Sequence, residues 1–236
     1  MLKALNLHKL YGTEHVLDDV GLEMREGTIR SLIGPNGAGK TTTFNLLAGV
    51  ELPEEGHVFL HQKQITYDSI HQRARAGLSY LPQQPSLFRG LSVKENILVV
   101  LQQINTDADK PPEEVLSRLG IQSLARKRAS ELSAGQRRKA EIARSLATTP
   151  QFLLLDEPFS GLDPLSVEEL KNIAVSLRSE DQLGLGLTDH KIRDTLAISD
   201  YNYLLHDGKV IVEGNSEEIL NDKQAREIYL GSEFRT

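Results

Sequence analysis

Residues 34–41 have the composition and spacing of a phosphate-binding loop, Gly34-Pro35-Asn36-Gly37-Ala38-Gly39-Lys40-Thr41, and Thr42 follows directly. Residues 29–33 are predicted to form a strand before it and residues 41–49 a helix after it, which is the context such a loop requires. The three glycines let the backbone turn tightly and direct successive N–H groups at a phosphate chain. Lys40 would add positive charge at the β- and γ-phosphates, and the Thr41 hydroxyl could hold Mg²⁺. The pattern predicts nucleotide binding, against the alternative of a glycine-rich turn that matches by chance.

A second candidate site follows the apolar run Phe152-Leu153-Leu154-Leu155, which ends in Asp156 and Glu157. Acidic residues after a buried parallel strand lie at the carboxyl edge of the sheet, where open α/β folds bind ligands. Asp156 is predicted to hold Mg²⁺, directly or through water. Glu157 is predicted to orient and polarise the water that attacks the γ-phosphate, as a general base. The alternative is a pair of acids that cap the following turn.

A third segment, Leu132-Ser133-Ala134-Gly135-Gln136, is predicted to open a helix that runs to Thr148. A hydroxyl and free N–H groups at a helix start form an anion site, and the helix dipole adds about half a unit of positive charge there. One chain has no obvious use for two γ-phosphate sites. The alternative is an ordinary capped helix.

Composition limits the classes of protein that remain. The chain has 236 residues, enough for one large domain, and a formal net charge of −6 without a long basic run, which argues against nucleic acid as a partner. It has no cysteine, so disulfides and thiolate sites are excluded, as in a cytoplasmic protein. No stretch resembles a signal peptide or approaches the roughly 18 apolar residues of a membrane span. Work at a membrane would therefore need another chain.

The elements that must position these motifs alternate between strand and helix. Residues 2–24 are predicted to form antiparallel strands that lead into the core strand, with Tyr11 at the turn between them, either packed or stacked on an adenine ring. The middle, from about 91 to 150, is predicted to be helical: residues 93–103, a segment opened by Asp109 and Pro111-Pro112, and residues 136–148. The run at 152–155 is typical of a strand in a parallel sheet covered on both faces. The fold class is α/β.

Two predicted strands contain residues that do not suit a buried strand. Arg30 and Ser31 interrupt the strand before the phosphate-binding loop, and Gly184 and Gly186 dilute the strand before His190. We expect Arg30 to lie near the solvent-exposed end of its strand and the glycines to admit a close helix.

Together these motifs resemble the ATP-binding cassette family of P-loop ATPases, whose L-S-G-G-Q signature this chain departs from only at Ala134. The resemblance implies one domain over residues 1–236: a RecA-like core with an antiparallel β subdomain and a helical subdomain at roughly 86–150. It implies ATP and Mg²⁺, and a head-to-tail homodimer in which Ser133 and Gly135 of one chain touch the γ-phosphate held by Lys40 of the other. The extra methyl of Ala134 bears on how closely the backbone approaches.

The same resemblance implies roles for four further positions. Tyr11 is similar to the aromatic residue that stacks on adenine. Gln83 is similar to the glutamine that senses Mg²⁺ and water. The segment Ser160-Gly161-Leu162-Asp163 resembles the loop that crosses the dimer interface. His190 resembles the histidine that contacts the γ-phosphate, although a lone histidine there is more often packed or solvated. We expect His57, His61 and His71 to be surface residues.

Partners and cargo are predicted from segments outside the shared motifs. Phe88 and Arg89, an apolar and basic pair, suit a groove that grips a short helix of two membrane-spanning transporter subunits, with ordinary loop packing as the alternative. Several segments resemble the lipopolysaccharide-export branch of the family, which implies a place on the cytoplasmic face of the inner membrane. They are residues 39–44, 80–83, 86–89, 91–93, 188–190, 193–196 and 229–235. Residues 30–34 and 44–47 resemble the branched-chain amino-acid importers, and a soluble cluster-assembly ATPase stays a third interpretation.

Overall fold

The computed structural model describes residues 1–104 and 111–230. Its strands form two sheets. Asp109, which was predicted to help open a helix, lies outside the described residues. The strands are β1 Leu2–Tyr11, β2 Glu14–Met24, β3 Ile29–Ile33, β4 Glu55–Leu60, β5 Lys63–Gln64, β6 Leu78–Leu81, β7 Phe152–Asp156, β8 Gly184–Thr188, β9 Tyr201–His206 and β10 Lys209–Gly214.

Helices connect these strands and cover both faces of the larger sheet. They are α1 Lys40–Ala48, α2 Ile70–Arg75, α3 Val93–Ile104, α4 Pro112–Arg118, α5 Ala134–Leu146, α6 Pro164–Asp181, α7 Ile192–Ile198, α8 Ser216–Asn221 and α9 Lys223–Ala225. Short 3₁₀ turns lie at Gln122–Leu124 and Ala129–Glu131, and a π-helical turn at Arg226–Leu230. Within residues 1–104 and 111–230, no helix is both long and apolar enough to cross a membrane.

The larger sheet has the strand order β10-β9-β3-β8-β7-β6 and is parallel except for β10. Every residue of β3, β7 and β8 is buried, which explains why β7 is a continuous apolar run. In the register of these strands, Thr188 at the end of β8 lies beside Leu32 of β3 and beside Asp156 of β7. The phosphate-binding loop after β3 and the acidic pair at the end of β7 therefore emerge at one edge, as the sequence predicted.

The smaller sheet is antiparallel, with the order β2-β1-β4-β5, which confirms the predicted antiparallel strands. One buried apolar cluster joins this sheet to α1 and to β3 and β7. Phe44, Leu46 and Leu47 of α1 are fully buried in that cluster. The helix that begins at Lys40 is thus held between the two sheets, and its first turn is fixed relative to both.

The helical segment packs on the other face of the larger sheet. A single buried cluster includes Val93 and Ile97 of α3, Val115 of α4 and the strand residues Leu153 and Leu185. The segment therefore shares its apolar core with the sheet. Its last helix, α5, begins at Ala134 rather than at the predicted Gln136, because Ser133 is the residue that caps it, and it ends at Leu146 rather than Thr148.

Arg30 contradicts the expectation of a solvent-exposed strand end. Only 7% of its surface is exposed, and its Nη1 donates to the Tyr203 hydroxyl at 2.9 Å and to Glu23 Oε1 at 3.2 Å. Its guanidinium carbon also lies 5.0 Å from the centre of the Tyr201 ring. The charge is buried because an acid and two aromatic rings surround it.

The glycines of β8 admit neighbouring side chains rather than the helix that was expected. A Cβ at Gly184 would lie 2.5 Å from the Phe152 ring, and one at Gly186 would lie 2.6 Å from the Met24 side chain. Large side chains of β7 and β2 fill this space. The expected close helix is therefore wrong, and close strand packing is the reason for both glycines.

Arg73 of α2 fastens the carboxyl end of α1. Its side chain is fully buried and donates to the carbonyls of Leu46 and Leu47 at 2.6 Å each, of Thr66 at 2.7 Å and of Asp68 at 2.9 Å. Burial lowers the pKa of this guanidinium to about 10. Two of these carbonyls belong to the last turn of α1, where helices have unpaired acceptors. Arg73 thus links α1 to the loop that precedes α2.

We expect Arg73→Met to lower the free energy of unfolding by at least about 2 kcal/mol, since each buried carbonyl that loses its donor costs about 1–3 kcal/mol. Chemical denaturation would measure the change. The matched control is Arg75→Met, at an exposed arginine on the same helix. Equal losses in the two variants would show that the buried hydrogen bonds contribute nothing particular.

Candidate functional site

The phosphate-binding loop leaves β3 through two positions that only glycine can occupy. Gly34 has a φ of 155°, and a Cβ there would lie 2.1 Å from the Leu205 carbonyl oxygen. Gly39 has a φ of 102°, and its Cβ would lie 2.9 Å from the Val16 carbonyl oxygen. Both the left-handed backbone and the close neighbours exclude a side chain. The backbone of the loop therefore packs directly against β2 and β9.

Lys40 and Thr41 lie at the start of α1, directly after the loop. Lys40 is buried, and its Nζ donates to the carbonyls of Gly34 and Pro35 at 2.8 Å each. Burial lowers the pKa of this ammonium, while Glu157, Asp156 and Asp189 oppose the shift. Thr41 is exposed. A cleft of about 220 Å³ adjoins the loop, lined by Val16, Asn36, Gly37, Gly39, Lys40, Thr41, Thr42 and Glu157.

Asp156 is the buried end of β7, and hydroxyl groups surround its carboxylate. Only 1% of the Asp156 surface is exposed. Oδ1 accepts from Thr41 Oγ1 at 3.3 Å and from the Thr188 hydroxyl. Thr188 has a further contact, because its Oγ1 accepts from the Glu157 backbone N–H at 3.0 Å. Thr188 thus joins the two acidic residues, a role that its place beside His190 in the sequence did not reveal.

Glu157 turns away from the strand through a left-handed backbone, with a φ of 44°. Non-glycine residues in this region cost of order 1–3 kcal/mol and cluster at functional sites. The turn directs the carboxylate towards Gln83, whose Nε2 donates to Glu157 Oε2 at 2.7 Å. His190 Nδ1 lies 3.5 Å from the same oxygen. The three side chains predicted to act in catalysis therefore meet at one carboxylate oxygen.

Asp189 holds the backbone beside Glu157 and His190. The sequence analysis assigned it no role. Its carboxylate is fully buried and accepts from the backbone N–H groups of Phe159 and Lys191, at 2.9 Å each. It thereby joins the loop after Glu157 to the loop that carries His190. No signal in the sequence alone showed that this acid is buried.

The Ser133–Gln136 segment begins α5 with a capping box. Ser133 Oγ accepts from the Gln136 N–H at 3.2 Å, and Gln136 Oε1 accepts from the Ser133 N–H at 3.2 Å. Ala134 is exposed, so its methyl meets no crowding within the chain. Gly135 is the confined position, because a Cβ there would lie 2.5 Å from Ser166 Oγ. None of these four residues is among those that line the cleft beside the phosphate-binding loop.

These features match known proteins. Residues 17–160 match the family described as ABC transporter. The chain belongs to the ABC transporter ATP-binding family. It is 44% identical to the lipopolysaccharide export system ATP-binding protein LptB of Acidithiobacillus ferridurans, over 100% of this chain and 98% of the relative. It is 42% identical to the protein of the same name from Escherichia coli K12, over 99% and 98% of the two chains.

A solved ABC cassette shows how close the fold is. The dimeric structure of a post-hydrolysis state of MJ0796, bound to ADP and phosphate, has a TM-score of 0.81 against this chain. The two are 27% identical, and the match covers 92% of this chain and 99% of that one. The predicted P-loop ATPase fold is confirmed, with its RecA-like core and antiparallel β subdomain. As a member of this family the chain is an ATPase.

Tyr11 of this ABC ATPase is not a core residue. It is 48% exposed at the end of β1, and its hydroxyl donates to Glu51 Oε2 at 2.7 Å. The Lys9 ammonium lies 5.7 Å from the centre of the ring. Of the two interpretations of this aromatic, packing in the core is therefore wrong. His57, His61 and His71 are exposed, as expected.

Arg138 of α5 connects the signature helix of the ABC ATPase to the ends of two strands. Its Nη2 donates to the Asp156 carbonyl at 2.7 Å, and its Nη1 donates to the Pro82 carbonyl at 2.9 Å. Glu141 Oε2 lies 3.2 Å from Nη1 and balances the charge. The Arg138 guanidinium thus links α5 to the backbone beside Gln83 and at Asp156. Nothing in the sequence distinguished Arg138 from other helical arginines.

Phe88 and Arg89 are exposed on the loop between Gln83 and α3, with Phe88 at 51%. Asn96 is fully buried and fixes this loop, since its Oδ1 accepts from the Phe88 N–H at 2.7 Å and its Nδ2 donates to the Phe88 carbonyl at 3.1 Å. The exposed ring is therefore carried on a backbone that two hydrogen bonds with Asn96 hold. The contact of Phe88 and Arg89 with a partner stays a prediction.

We expect Thr188→Val to slow ATP hydrolysis by about 10–100-fold, because partners that orient a metal-binding or catalytic carboxylate typically carry that weight. ATP binding should change much less, since Thr188 does not line the cleft. Thr188→Ser, which keeps the hydroxyl, is the control and should retain most activity. Steady-state hydrolysis and equilibrium ATP binding would be measured together. Full activity in the valine variant would contradict a role for this hydroxyl.

Proposed function

We propose that this chain is the ATP-hydrolysing motor subunit of a transporter that extracts lipopolysaccharide from the inner membrane for export to the outer membrane. The cargo is supported by the full-length similarity to proteins named for lipopolysaccharide export. The motor chemistry is supported by one observation above all: the carboxylate of Glu157 is held by Gln83 at the edge of the cleft that adjoins the phosphate-binding loop.

ATP binds with its phosphates on the backbone N–H groups of residue 34 and residues 36–39, beside Pro35, and Lys40 and Thr42 contact them. The cleft is lined by the loop residues, and the buried ammonium of Lys40 is already surrounded by oxygen acceptors. Tyr11 stacks on the adenine ring, which its exposure at the end of β1 permits. The phosphate contacts give most of the affinity and the ring orients the base.

Thr41, Asp156 and Gln83 are the residues that would hold Mg²⁺. Their donors are oxygens, which this ion prefers, and Thr41 and Asp156 already lie within hydrogen-bonding distance of one another at 3.3 Å. No group of three or more His, Cys, Asp and Glu side chains in the described ranges could hold a metal by itself. This suits an ion that typically uses one or two carboxylates together with substrate phosphates. When bound, Mg²⁺ would neutralise charge on the β- and γ-phosphates.

Hydrolysis requires a water aligned with the γ-phosphate. Glu157 accepts its proton as general base, and Gln83 fixes the orientation of the carboxylate through the hydrogen bond of 2.7 Å. His190 lies 3.5 Å from the same oxygen and contacts the γ-phosphate. Thr188 and Asp189 hold the backbone on either side, so that the three groups keep their positions during turnover.

The active form is a homodimer, in which Ser133, Ala134, Gly135 and Gln136 of one subunit close the cleft of the other. Within one chain these residues do not line that cleft, although they begin a helix of 13 residues without an acid in its first turn. Such a terminus attracts phosphate. The Ser160–Asp163 loop lies at this interface, since Asp163 caps α6 beside Gly135 and Ser166.

Two membrane-spanning subunits bind at Phe88 and Arg89, and the motor lies peripherally on the cytoplasmic face of the inner membrane. The exposed ring, held on a backbone that Asn96 fixes, suits insertion into a groove or against a short partner helix. Nucleic acid is not a partner, given the net charge of −6. Residues 1–236 act as one domain, with the helical subdomain at roughly 86–150 carrying this contact.

Glu157→Gln should retain ATP binding and lose hydrolysis by at least about 100-fold, the low end for a positioned general base. The variant should accumulate as an ATP-bound dimer, detected by light scattering. Adding Ser133→Arg should return it to a monomer that still binds ATP. Glu55→Gln, at an exposed glutamate, is the matched control. Unchanged hydrolysis would remove the general-base role, and a dimer that tolerates Ser133→Arg would remove the trans closure.

Phe88→Ala should abolish co-purification with membrane-spanning subunits from detergent-solubilised membranes, while the isolated chain still hydrolyses ATP. Phe88→Leu keeps the apolar bulk and should retain most of the assembly.

The purified complex should hydrolyse ATP faster when lipopolysaccharide is added and should not respond to branched-chain amino acids. The opposite response would assign the complex to amino-acid import and overturn the proposed cargo.

A further inference from the structure

A series of polar side chains, here called the polar chain, runs from Tyr11 to Asp156, each within hydrogen-bonding distance of the next. The Tyr11 hydroxyl donates to Glu51 Oε2 at 2.7 Å, and Asn45 Nδ2 donates to Glu51 Oε1 at 2.9 Å. The Tyr80 hydroxyl lies 3.0 Å from Asn45 Oδ1 and 3.4 Å from Asp156 Oδ2. The polar chain therefore extends from Tyr11, the residue proposed to stack on adenine, to Asp156, whose carboxylate is proposed to hold the metal.

The direction of each bond follows from the groups themselves. Glu51 can only accept, so Tyr11 and the amide N–H of Asn45 must be its donors. The amide oxygen of Asn45 is then turned towards Tyr80, whose single proton can point to Asn45 or to Asp156. Each neighbour in the chain thus restricts the orientation of the next one.

Two residues of the polar chain, Asn45 and Tyr80, lie on elements that contact Asp156 directly. Asn45 lies four residues after Thr41 on α1, so the two side chains share one face of the helix. Thr41 contacts Asp156 Oδ1, and Tyr80 contacts Oδ2 from the neighbouring strand β6. Both oxygens of the carboxylate therefore have a hydroxyl within reach, one from the helix and one from the sheet.

The outer end of the chain is anchored by charge. Lys9 Nζ lies 3.9 Å from Glu51 Oε2, donates to Glu54 Oε1 at 3.2 Å and donates to the Leu52 carbonyl at 2.9 Å. The same ammonium is 5.7 Å from the centre of the Tyr11 ring. Glu51 is thus held in place beside Tyr11, and only a quarter of its side chain is exposed.

We propose that Glu51, Asn45 and Tyr80 are positioning residues that couple the adenine end of the site to the metal end. The inference rests on the proposed roles of Tyr11 and Asp156. A base stacked against Tyr11 fixes its hydroxyl, and the chain carries that constraint to the Asp156 carboxylate. Nucleotide with a correctly placed base therefore binds Mg²⁺ more tightly than phosphate contacts alone would allow.

The test compares the affinity of a non-hydrolysable ATP analogue with Mg²⁺ and with EDTA, by calorimetry. Tyr80→Phe should weaken binding by about tenfold or more in Mg²⁺, the usual effect of losing a partner of a metal ligand, and leave binding in EDTA nearly unchanged. Tyr67→Phe, at a tyrosine that is 76% exposed, is the matched control and should change neither. Equal weakening in Mg²⁺ and in EDTA would overturn the proposal.

Coupling along the chain is tested by a double-mutant cycle. Tyr11→Phe and Tyr80→Phe together should lose less Mg²⁺-dependent affinity than the product of the single losses, by at least about twofold, because both act through one chain. Glu51→Ala removes both acceptor oxygens at the partly exposed end of the polar chain and should give the same loss confined to Mg²⁺. Multiplicative losses, or a Glu51→Ala variant with normal Mg²⁺-dependent affinity, would refute the coupling. A wild-type chain that binds no analogue in either condition would instead refute the nucleotide site itself.

Discussion

A carboxylate that is almost completely buried must be surrounded by donors, and Asp156 imposes this demand on the rest of the chain. It lies at the end of β7 because β7 is buried on both faces and can only present a polar group where it ends. The donors come from three directions: Thr41 from α1, Thr188 from β8 and Tyr80 from β6. The parallel register brings these elements to one edge, so the topology of the sheet and the chemistry of the site satisfy the same requirement.

The second acid works differently because Glu157 is one residue beyond the strand. Its left-handed backbone breaks the alternation of the strand and brings its carboxylate to Gln83 and His190. The N–H of Glu157 is held by both the carbonyl and the hydroxyl of Thr188. A strained backbone needs such neighbours to persist. One threonine thus contacts the Asp156 carboxylate through its hydroxyl and the Glu157 backbone through both its hydroxyl and its carbonyl.

Sequence patterns predicted the parts of this site that are local. The phosphate-binding loop, the acidic pair and the capped start of α5 each lie within eight residues, and hydrogen-bonding groups at fixed spacing were enough to identify them. Thr188, Asp189, Arg138 and Glu51 were missed because each acts on a residue about thirty or more positions away or through a backbone group. Arg30 was placed wrongly because the usual exclusion of charge from a buried strand fails when Glu23 and Tyr203 surround it. No local pattern announces such partners.

Charge balance gives a physical reason for closure by a second chain. Burial lowers the pKa of Lys40, and the Glu157, Asp156 and Asp189 carboxylates oppose that shift, so this cation has acidic neighbours before any phosphate arrives. Triphosphate adds further negative charge, which the backbone N–H groups and a divalent ion offset only in part. The start of α5 supplies a positive dipole end and a hydroxyl, yet within its own chain it does not line the cleft. In the proposed dimer, the start of α5 of each subunit offsets part of the negative charge at the phosphate site of the other. Closure therefore depends on the phosphates being present.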